Sequence, residues 1–455
     1  MFSKILVANR GEIAFRAVRE CKELGIRSVA IYSDADADAL FVKQADESYP
    51  LGDPRPSNSY LNIKKILDIA KGCGVEAVYP GYGFLAENPK FVEACEQSGL
   101  EFIGPPSKSM HRAKPKHKAR QLMKTNGIPV TPGMDDVIDS ACKVTEAIKV
   151  ADELGYPVIV KPSGAGGGIG MGVARNRDEL VAAARHAESR GNSAFGISAF
   201  YIEKYLPKVK HIEFQVLADK KGNVVYLGER ECSVQRRYQK LIEEAPSPVM
   251  TPELRGRMGE AAVQVAKLLK YVNALTVEFI FSKDTGEYFF NEVNTRLQVE
   301  HPITELITGI NLVKEQIRIA AGEELGYAQD DIQLQGWAIE CRINAEDPFK
   351  DFLPSPFKVT TYQPPSGFGV RVDSGIYAGY TLPFYYDSLI AKLLTWGENR
   401  DEAILSMRRA LDEFVIEGVE TNIPFHKVAL EDEAFRRGNY TTTFIEERQI
   451  IKKLQ

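Results

Sequence analysis

Glu278, Glu292 and Asn294 are the residues whose types and spacing point most directly to chemistry. They lie in TVEFIFSKDTGEYFFNEVNTRLQVEHPIT, residues 276–304, where two apolar runs flank a Lys-Asp-Thr-Gly turn in a β-hairpin pattern. Strand side chains alternate faces, so Glu292 and Asn294 share one face, and Arg296 joins them if the strand continues. Pairing Glu278 with Glu292 leaves a five-residue connection, Lys283–Glu287, within the usual hairpin range. Two carboxylates and an amide on rigid strands suit Mg²⁺, which takes hard oxygen ligands and shares its shell with phosphates. A solvated hairpin face would show the same alternation. The polar run NTRLQVEHP directly after it favours a site.

In that run Arg296, Gln298 and Glu300 alternate, presenting a guanidinium, an amide and a carboxylate on one face of a continued strand. A guanidinium grips a planar oxyanion through two parallel hydrogen bonds, and a nearby carboxylate can remove its proton as general base. Bicarbonate meets both demands. Lys240 closes the dense run Glu229–Lys240 and can hold a small anion as a point charge, although such runs are usually charged surface loops. Arg342, within ECRINAEDP, can stabilise a developing enolate-like oxygen or form a structural salt bridge with Glu346 or Asp347. His211 and Glu213 flank Ile212 and point one way on a strand.

Phosphate chemistry has its own signal. Residues 163–172, SGAGGGIGMG, hold six glycines in ten positions, so backbone N–H groups can approach anionic oxygens closely. Lys161 ends the preceding strand and supplies a full charge. The spacing is not that of a Walker A loop, which needs G-K-[ST] after its glycines. A loop of this kind has to open and close over its ligand. At Phe200–Pro207 a strand meets a proline, where free backbone donors and acceptors can face a base edge.

These residues need a scaffold, and 455 residues suffice for roughly two to four domains. The composition, 44% hydrophobic and 26% charged, is that of a globular protein, and the net charge of −5 argues against a general nucleic-acid or membrane-surface binder. Cysteines at 21, 73, 95, 142, 232 and 341 form no CxxC pair, which fits reduced thiols and no zinc site. No apolar run reaches membrane-spanning length and the N-terminus lacks a signal-peptide pattern, so the expected location is the cytoplasm.

Residues 1–112 alternate strands (Lys4–Ala8, Ser28–Tyr32, Ala77–Tyr79, Phe102–Ile103) with helices, including 60–72 and 86–97. Ile13, Ala14, Ala17, Val18 and Cys21 lie on one helical face, and Gly25 sits at its C-terminal cap. The pattern is a doubly wound parallel sheet, with Gly81–Phe84 beyond a strand's carboxyl end. No G-x-G-x-x-G follows the first strand, which excludes a dinucleotide site. Residues 113–203 form a small unit with a basic opening (Lys114, Lys116, Lys118), a helix ending at Gly127, and the strand Pro157–Lys161. Residues 204–330 add long strands and the helices Pro252–Tyr271 and Leu312–Ala321. A further α+β segment, 331–446, carries a Gly-rich strand region near 367–372 and a helix at 401–414.

Seven segments in this order, NRGEIA, PGYGFLAEN, the glycine loop, HIEFQVL, QRRYQK, EVNTRLQVEHP and CRINAEDP, resemble the biotin carboxylase family of ATP-grasp enzymes. The resemblance implies a Rossmann-like pre-ATP-grasp domain (1–112), an ATP-grasp domain (113–330) with a mobile lid at about 131–203, and a C-terminal domain (331–446). It implies ATP-dependent carboxylation of biotin by bicarbonate, with Mg²⁺ or Mn²⁺, two ions in all. Lys116 and Lys161 resemble the phosphate lysines, Gly167 and Gly168 the lid, Glu203, Lys204, Tyr205 and Leu206 the adenine edge, and His211 the ribose contact. Gln235 and Tyr238 fall beside the nucleotide. Glu278, Glu292 and Asn294 resemble the metal ligands; Lys240, Arg296, Gln298 and Val299 the bicarbonate cradle; Glu300 the base; Tyr82, Gly83 and Arg342 the biotin contacts. Tyr238 and Ile169 depart from the histidine and arginine usual in the family, and Lys114 or Lys118 can share the role of Lys116. No Ala-Met-Lys-Met motif occurs and the chain ends at Gln455. The expectation is one component of a larger carboxylase. It forms a homodimer in the family's manner and works with a biotin carrier protein and a carboxyltransferase on separate chains.

Overall fold

A computed structural model of the chain describes residues 1–140, 144–163, 170–195 and 199–454. Strands β1 (Lys4–Val7), β2 (Arg27–Ser33), β3 (Glu47–Gly52), β4 (Ala77–Tyr79) and β5 (Glu101–Phe102) form a parallel sheet in the order β3-β2-β1-β4-β5. It is the expected doubly wound sheet. Ile5 and Val7 join one apolar cluster with Ile13, Ala17 and Cys21, while Leu6 joins another with Ile66 and Phe91. Both faces are therefore covered, which explains why the strands read as continuous apolar runs. β3 escaped the sequence pattern because ESYPLG is polar and holds Pro50, which an edge strand tolerates. The helices expected at 60–72 and 86–97 begin later, as Ile63–Gly72 and Pro89–Gln97, because Asn62 and Asn88 cap them with their side chains.

β6 (Val158–Pro162), β7 (Gly172–Ala174) and β8 (Phe200–Lys204) make a separate antiparallel sheet in the order β7-β6-β8. The helices Val144–Leu154 and Arg177–Phe195 accompany it, and Ala147, Val158, Val160, Ala184 and Phe200 form a cluster of its own.

The chain then builds β9 (Lys210–Ala218), β10 (Val224–Arg236), β11 (Gln239–Ala245), β12 (Asn273–Phe281), β13 (Tyr288–Asn294) and β14 (Trp337–Asn344). Short strands β15 (Glu346–Asp347), β16 (Leu353–Pro354) and β17 (Thr361–Gln363) precede β18 (Val370–Ser374), β19 (Leu389–Gly397) and β20 (Val415–Glu417). Eight of them form one antiparallel sheet ordered β13-β12-β9-β10-β11-β14-β19-β18. The strands around Arg342 and Lys392 thus continue the sheet that carries Glu278 and Glu292. Under it Met258, Ala262 and Val265 of the helix Pro252–Leu268 pack on Phe214, Val277 and Phe279. Among the described residues no helix is long and apolar enough to cross a membrane.

The hairpin register is the expected one, with Glu278 opposite Glu292. Its connection is not. Phe279 pairs with Phe290, so Asn291 bulges out and the connection becomes six residues, Ser282–Glu287, instead of five.

Candidate active site

The hairpin corner is crowded with charge. Glu278, 4% exposed, lies between Glu292 on β13 and Glu213 on β9. Its Oε1 accepts from Asn294 Nδ2 (2.8 Å), Gln298 Nε2 (3.0 Å) and Lys240 Nζ (3.2 Å), and its Oε2 lies 3.3 Å from His211 Nε2. Burial alone would raise its pKa; Lys240 and His211 overcome this and hold it well below the carboxylate range. Glu292 receives Lys116 Nζ, the member of the Lys114-Lys116-Lys118 trio that reaches this patch; Lys114 pairs with Glu87 and Lys118 is exposed. The carboxylate oxygens of Glu278 and Glu292 fit a hard divalent cation. Asn294 Oδ1 accepts from Arg296 at 3.2 Å, so rotating that amide would turn the oxygen inward. Ligand atoms of His211, Glu213 and Glu278, and of Glu213, Cys232 and Glu300, also lie within 4.8 Å of one another. Burial keeps Cys232 a thiol, which makes it a poor ligand.

The expected continuation of the strand through Arg296, Gln298 and Glu300 does not occur. The strand ends at Asn294, and Glu300 is the N-cap residue of the helix His301–Thr308, which has Pro302 in its first turn. Each side chain instead goes its own way. Thr295 and Arg296 bind Glu87, which lies between β4 and the helix Pro89–Gln97, Arg296 Nε at 3.1 Å. Gln298 spans Arg230 and Glu278. Glu300, 2% exposed, receives Lys240 Nζ at 2.7 Å on one oxygen and Arg342 Nη2 at 2.8 Å on the other. Against the burial that would raise it, Lys240, Arg342 and Arg230 hold Glu300 well below the carboxylate range. Burial likewise opposes the charge of Lys240, yet Glu213, Glu278 and Glu300 keep it firmly protonated.

Arg342 pairs with Glu243 (2.6 Å) and Glu300, and neither Glu346 nor Asp347 is its partner; they bind Ser388 and Lys350. Its carbonyl is clasped by Asn422 Nδ2 (2.9 Å) and His426 Nε2 (2.8 Å). Opposite it on β19, buried Lys392 pairs with Glu12 at 3.1 Å, donates to Val299 O at 3.0 Å and lies 5.7 Å from the Tyr82 ring. The Tyr82-Gly83 loop is pinned by Asn9, whose Nδ2 donates to Pro80 O and Tyr82 O at 2.7 Å each. Gly81 has φ 59°, and a Cβ there would meet Ile13 Cγ1 at 2.9 Å, so the loop needs glycine to lie on the first helix. Tyr82 Oη is buried with no hydrogen-bond partner among the described residues.

On the opposite side Lys161 Nζ donates to Glu203 (2.6 Å) and to the bulged Asn291 (3.3 Å). The backbone donors of Lys204 and Tyr205 are not free, as the proline pattern suggested; they bind Pro132 O and Pro157 O. The Lys204 side chain turns back onto the carbonyls of Leu154, Gly155 and Tyr156. Leu206 follows, half-buried, and His211 Nδ1 meets Gln235 Nε2 at 3.1 Å. Tyr238 is 46% exposed at the tip of the β10–β11 hairpin, where it and Arg237 form a two-residue turn with φ 67° and 49°. Gly167, Gly168 and Ile169 lie outside the described residues.

Three family models match consecutive stretches: "Biotin carboxylase, N-terminal domain" at 1–110, "Carbamoyl-phosphate synthase L chain, ATP binding domain" at 115–328 and "Biotin carboxylase C-terminal domain" at 340–447. The chain belongs to the biotin carboxylase family. It is 57% identical to a pyruvate carboxylase subunit of Methanothermobacter thermautotrophicus, over 100% of this chain and 94% of that one. It is 51% identical to biotin carboxylase 1 of Bacillus subtilis, over 99% and 100%. Among solved structures, the biotin carboxylase domain dimer of the Hydrogenobacter thermophilus 2-oxoglutarate carboxylase, in complex with MgADP, ADP and bicarbonate, superposes with a TM-score of 0.96 at 49% identity, covering 99% and 98%.

What sequence reasoning missed in this biotin carboxylase fold is mostly one strand. For the run from Glu229 the charge pattern left a surface loop and an anion-holding site both open; β10 is central, and Glu229, Arg230, Glu231 and Ser233 are fully buried. Its charges are paired: Arg230 with Glu213, Glu229 with Arg255, Glu231 with Lys210. Alternating opposite charges in HIEFQ and GERECS were the available signal. Glu87, Glu243, Lys392, Asn422 and His426 carried none, because their partners lie far away in the chain.

Proposed function

We propose that this chain catalyses ATP-dependent carboxylation of biotin by bicarbonate, giving ADP, phosphate and N1-carboxybiotin. The observation that carries it is Glu300, a buried carboxylate held between Lys240 and Arg342 beside an oxygen-rich hairpin corner. Mg²⁺ or Mn²⁺ held by Glu278, Glu292 and Asn294 would neutralise charge on the ATP phosphates. Lys116 and Lys161 face the same corner and exchange Glu292 and Glu203 for phosphate oxygens. Lys240 and Gln298, with Arg296 and the Val299 backbone beside them, orient bicarbonate, and Glu300 takes its proton. The bicarbonate oxygen attacks the γ-phosphorus, and ADP leaves. Carboxyphosphate then divides into CO₂ and phosphate, and that phosphate takes the N1 proton of biotin. Arg342 holds the resulting enolate oxygen while N1 attacks CO₂.

The roles of Gly167, Gly168, Glu203, Lys204, Tyr205, Leu206, His211, Gln235 and Tyr238 at the nucleotide, and of Tyr82 and Gly83 at biotin, belong to this proposal. So do the domain divisions at 112/113 and 330/331 and a lid at about 131–203; the separate cluster around β6, β7 and β8 supports an independently moving lid. The biotin resides on a carrier protein, a carboxyltransferase chain completes the enzyme, the chain pairs with a second copy, and the assembly works in the cytoplasm. Relatives named as one subunit of pyruvate carboxylase and as the small subunit of 2-oxoglutarate carboxylase support the multi-chain arrangement. The test is ATP cleavage by the metal-loaded protein: bicarbonate supports it, and free biotin stimulates it. Stimulation by an amine acceptor in place of biotin would overturn the assignment.

A further inference from the structure

Behind Arg342 lie two carboxylates with no part in the chemistry above. Glu340 on β14 and Glu243 on β11 are direct cross-strand partners, and both are fully buried. Neither oxygen of Glu340 has a hydrogen-bond partner among the described residues, and Oε2 of Glu243 is equally bare. The other Glu243 oxygen takes Arg342 Nε while Glu300 takes Nη2, so the two carboxylates share one edge of the guanidinium. Besides Arg342 and Glu300, the charges facing the pair are Lys240 on β11 and Lys392 on β19. Lys392 is already engaged with Glu12 of the first helix and with Val299 O. Like charges directly opposite across strands repel, and a buried unpaired carboxylate takes up a proton instead of staying charged. Apolar residues would fill the position at lower cost.

We propose that Glu243 and Glu340 are positioning residues for Arg342, a carboxyl pair that retains at least one proton and whose second proton loosens Arg342 from Glu243 so that it can turn to the biotin oxygen. This rests on Arg342 being the biotin-facing cation. Burial and the neighbouring Glu243 push Glu340 well above the carboxylate range, so it keeps its proton. Burial lifts Glu243 to about 7 against the pull of Arg342. Below that pH Glu243 is neutral and Arg342 keeps Glu300 as its one anionic partner; above it Glu243 is ionised and ties Arg342 down. Apparent affinity for biotin therefore falls as pH rises through this window.

The experiment measures KM for free biotin in bicarbonate-dependent ATP cleavage from about pH 6 to about pH 9, in the full-length protein and in Glu243→Gln. The parent KM rises toward about tenfold per pH unit above about pH 7, as expected for loss of a competent one-proton state. In Glu243→Gln, whose amide oxygen can still accept from Nε, the rise disappears. Persistence of the rise in this variant, or a flat parent profile, would overturn the proposal. Infrared spectra at about pH 8 provide the second readout: the carbonyl stretch of a buried protonated carboxyl is present in the parent and lost in Glu340→Gln. Its absence from the parent also overturns the proposal. Bicarbonate-dependent ATP cleavage without biotin separates the two levels: if it is missing, the functional assignment fails; if it is present with a flat KM profile, only the carboxyl pair fails.

Discussion

Arg230→Lys keeps a positive charge and removes a geometry. Arg230 is fully buried and spends its five N–H groups on Glu213 (2.6 Å), Gln215 (2.9 Å), Thr304 (3.0 Å), Thr276 (3.1 Å) and Gln298 (2.8 Å). Lysine offers three donors from one atom, so at least two of these acceptors lose their partner. At about 1–3 kcal/mol for each buried acceptor left unmatched, the loss is about 2–6 kcal/mol. That is a large fraction of the about 5–15 kcal/mol that holds a typical protein folded. Gln298 also loses the contact opposite Glu278, which fixes its place in the proposed bicarbonate cradle. Urea unfolding should show a lower midpoint with an unchanged slope, and KM for bicarbonate should rise about tenfold, equivalent to about 1.4 kcal/mol. A stability change below about 0.5 kcal/mol, the range of an ordinary surface substitution, together with an unchanged KM would refute the reasoning.

Three further outcomes are expected. Glu300→Gln preserves shape and removes the proposed base, so turnover should fall by about 10²–10⁴-fold while ATP binding by calorimetry stays near normal; near-normal turnover would remove Glu300 from its role. Lys240→Met leaves the buried carboxylates Glu213, Glu278 and Glu300 without their shared cation, which should cost about 3–5 kcal/mol near neutral pH. That deficit should narrow at about pH 5 as Glu278 and Glu300, no longer held down by Lys240, take protons, and an equal deficit at both pH values in urea titrations would contradict it. His426 is fully buried, and burial lowers its pKa to about 4 although the Arg342 carbonyl pulls the other way. The unfolded chain then binds the extra proton below about pH 6.5, so this group's contribution is complete above that value and is lost as pH falls, by about 3 kcal/mol on reaching about pH 4. His426→Gln should flatten that part of the acid-stability curve, and an unchanged curve would show that another group sets it.

Local periodicity made much of the scaffold legible. The first helix exposed its apolar face, Gly25 its end, and the alternation around Glu278 and Glu292 its register, because each depends on neighbours within a few residues. The Asn291 bulge left no mark on the hydrophobic pattern, since one added residue shifts pairing without changing composition. Alternation misled beyond Asn294, where Arg296, Gln298 and Glu300 keep a period of two through a turn and into a helix cap. There the directions of the side chains are set by Glu87, Arg230, Lys240 and Arg342, partners brought in by tertiary structure. β10 stayed open between two readings for a related reason: burial is permitted to charges when opposite charges occupy the neighbouring strand, and a single segment does not display its neighbour.

Carboxylation of biotin itself provides the most direct test. The metal-loaded protein is incubated with ATP, isotopically labelled bicarbonate and free biotin, and labelled carboxybiotin is measured against ADP. The account predicts ATP-dependent labelling of biotin that is slowed about 10²–10⁴-fold in Glu300→Gln and greatly slowed when Arg342 is replaced. ADP formation without any labelled biotin, at saturating biotin, would contradict it.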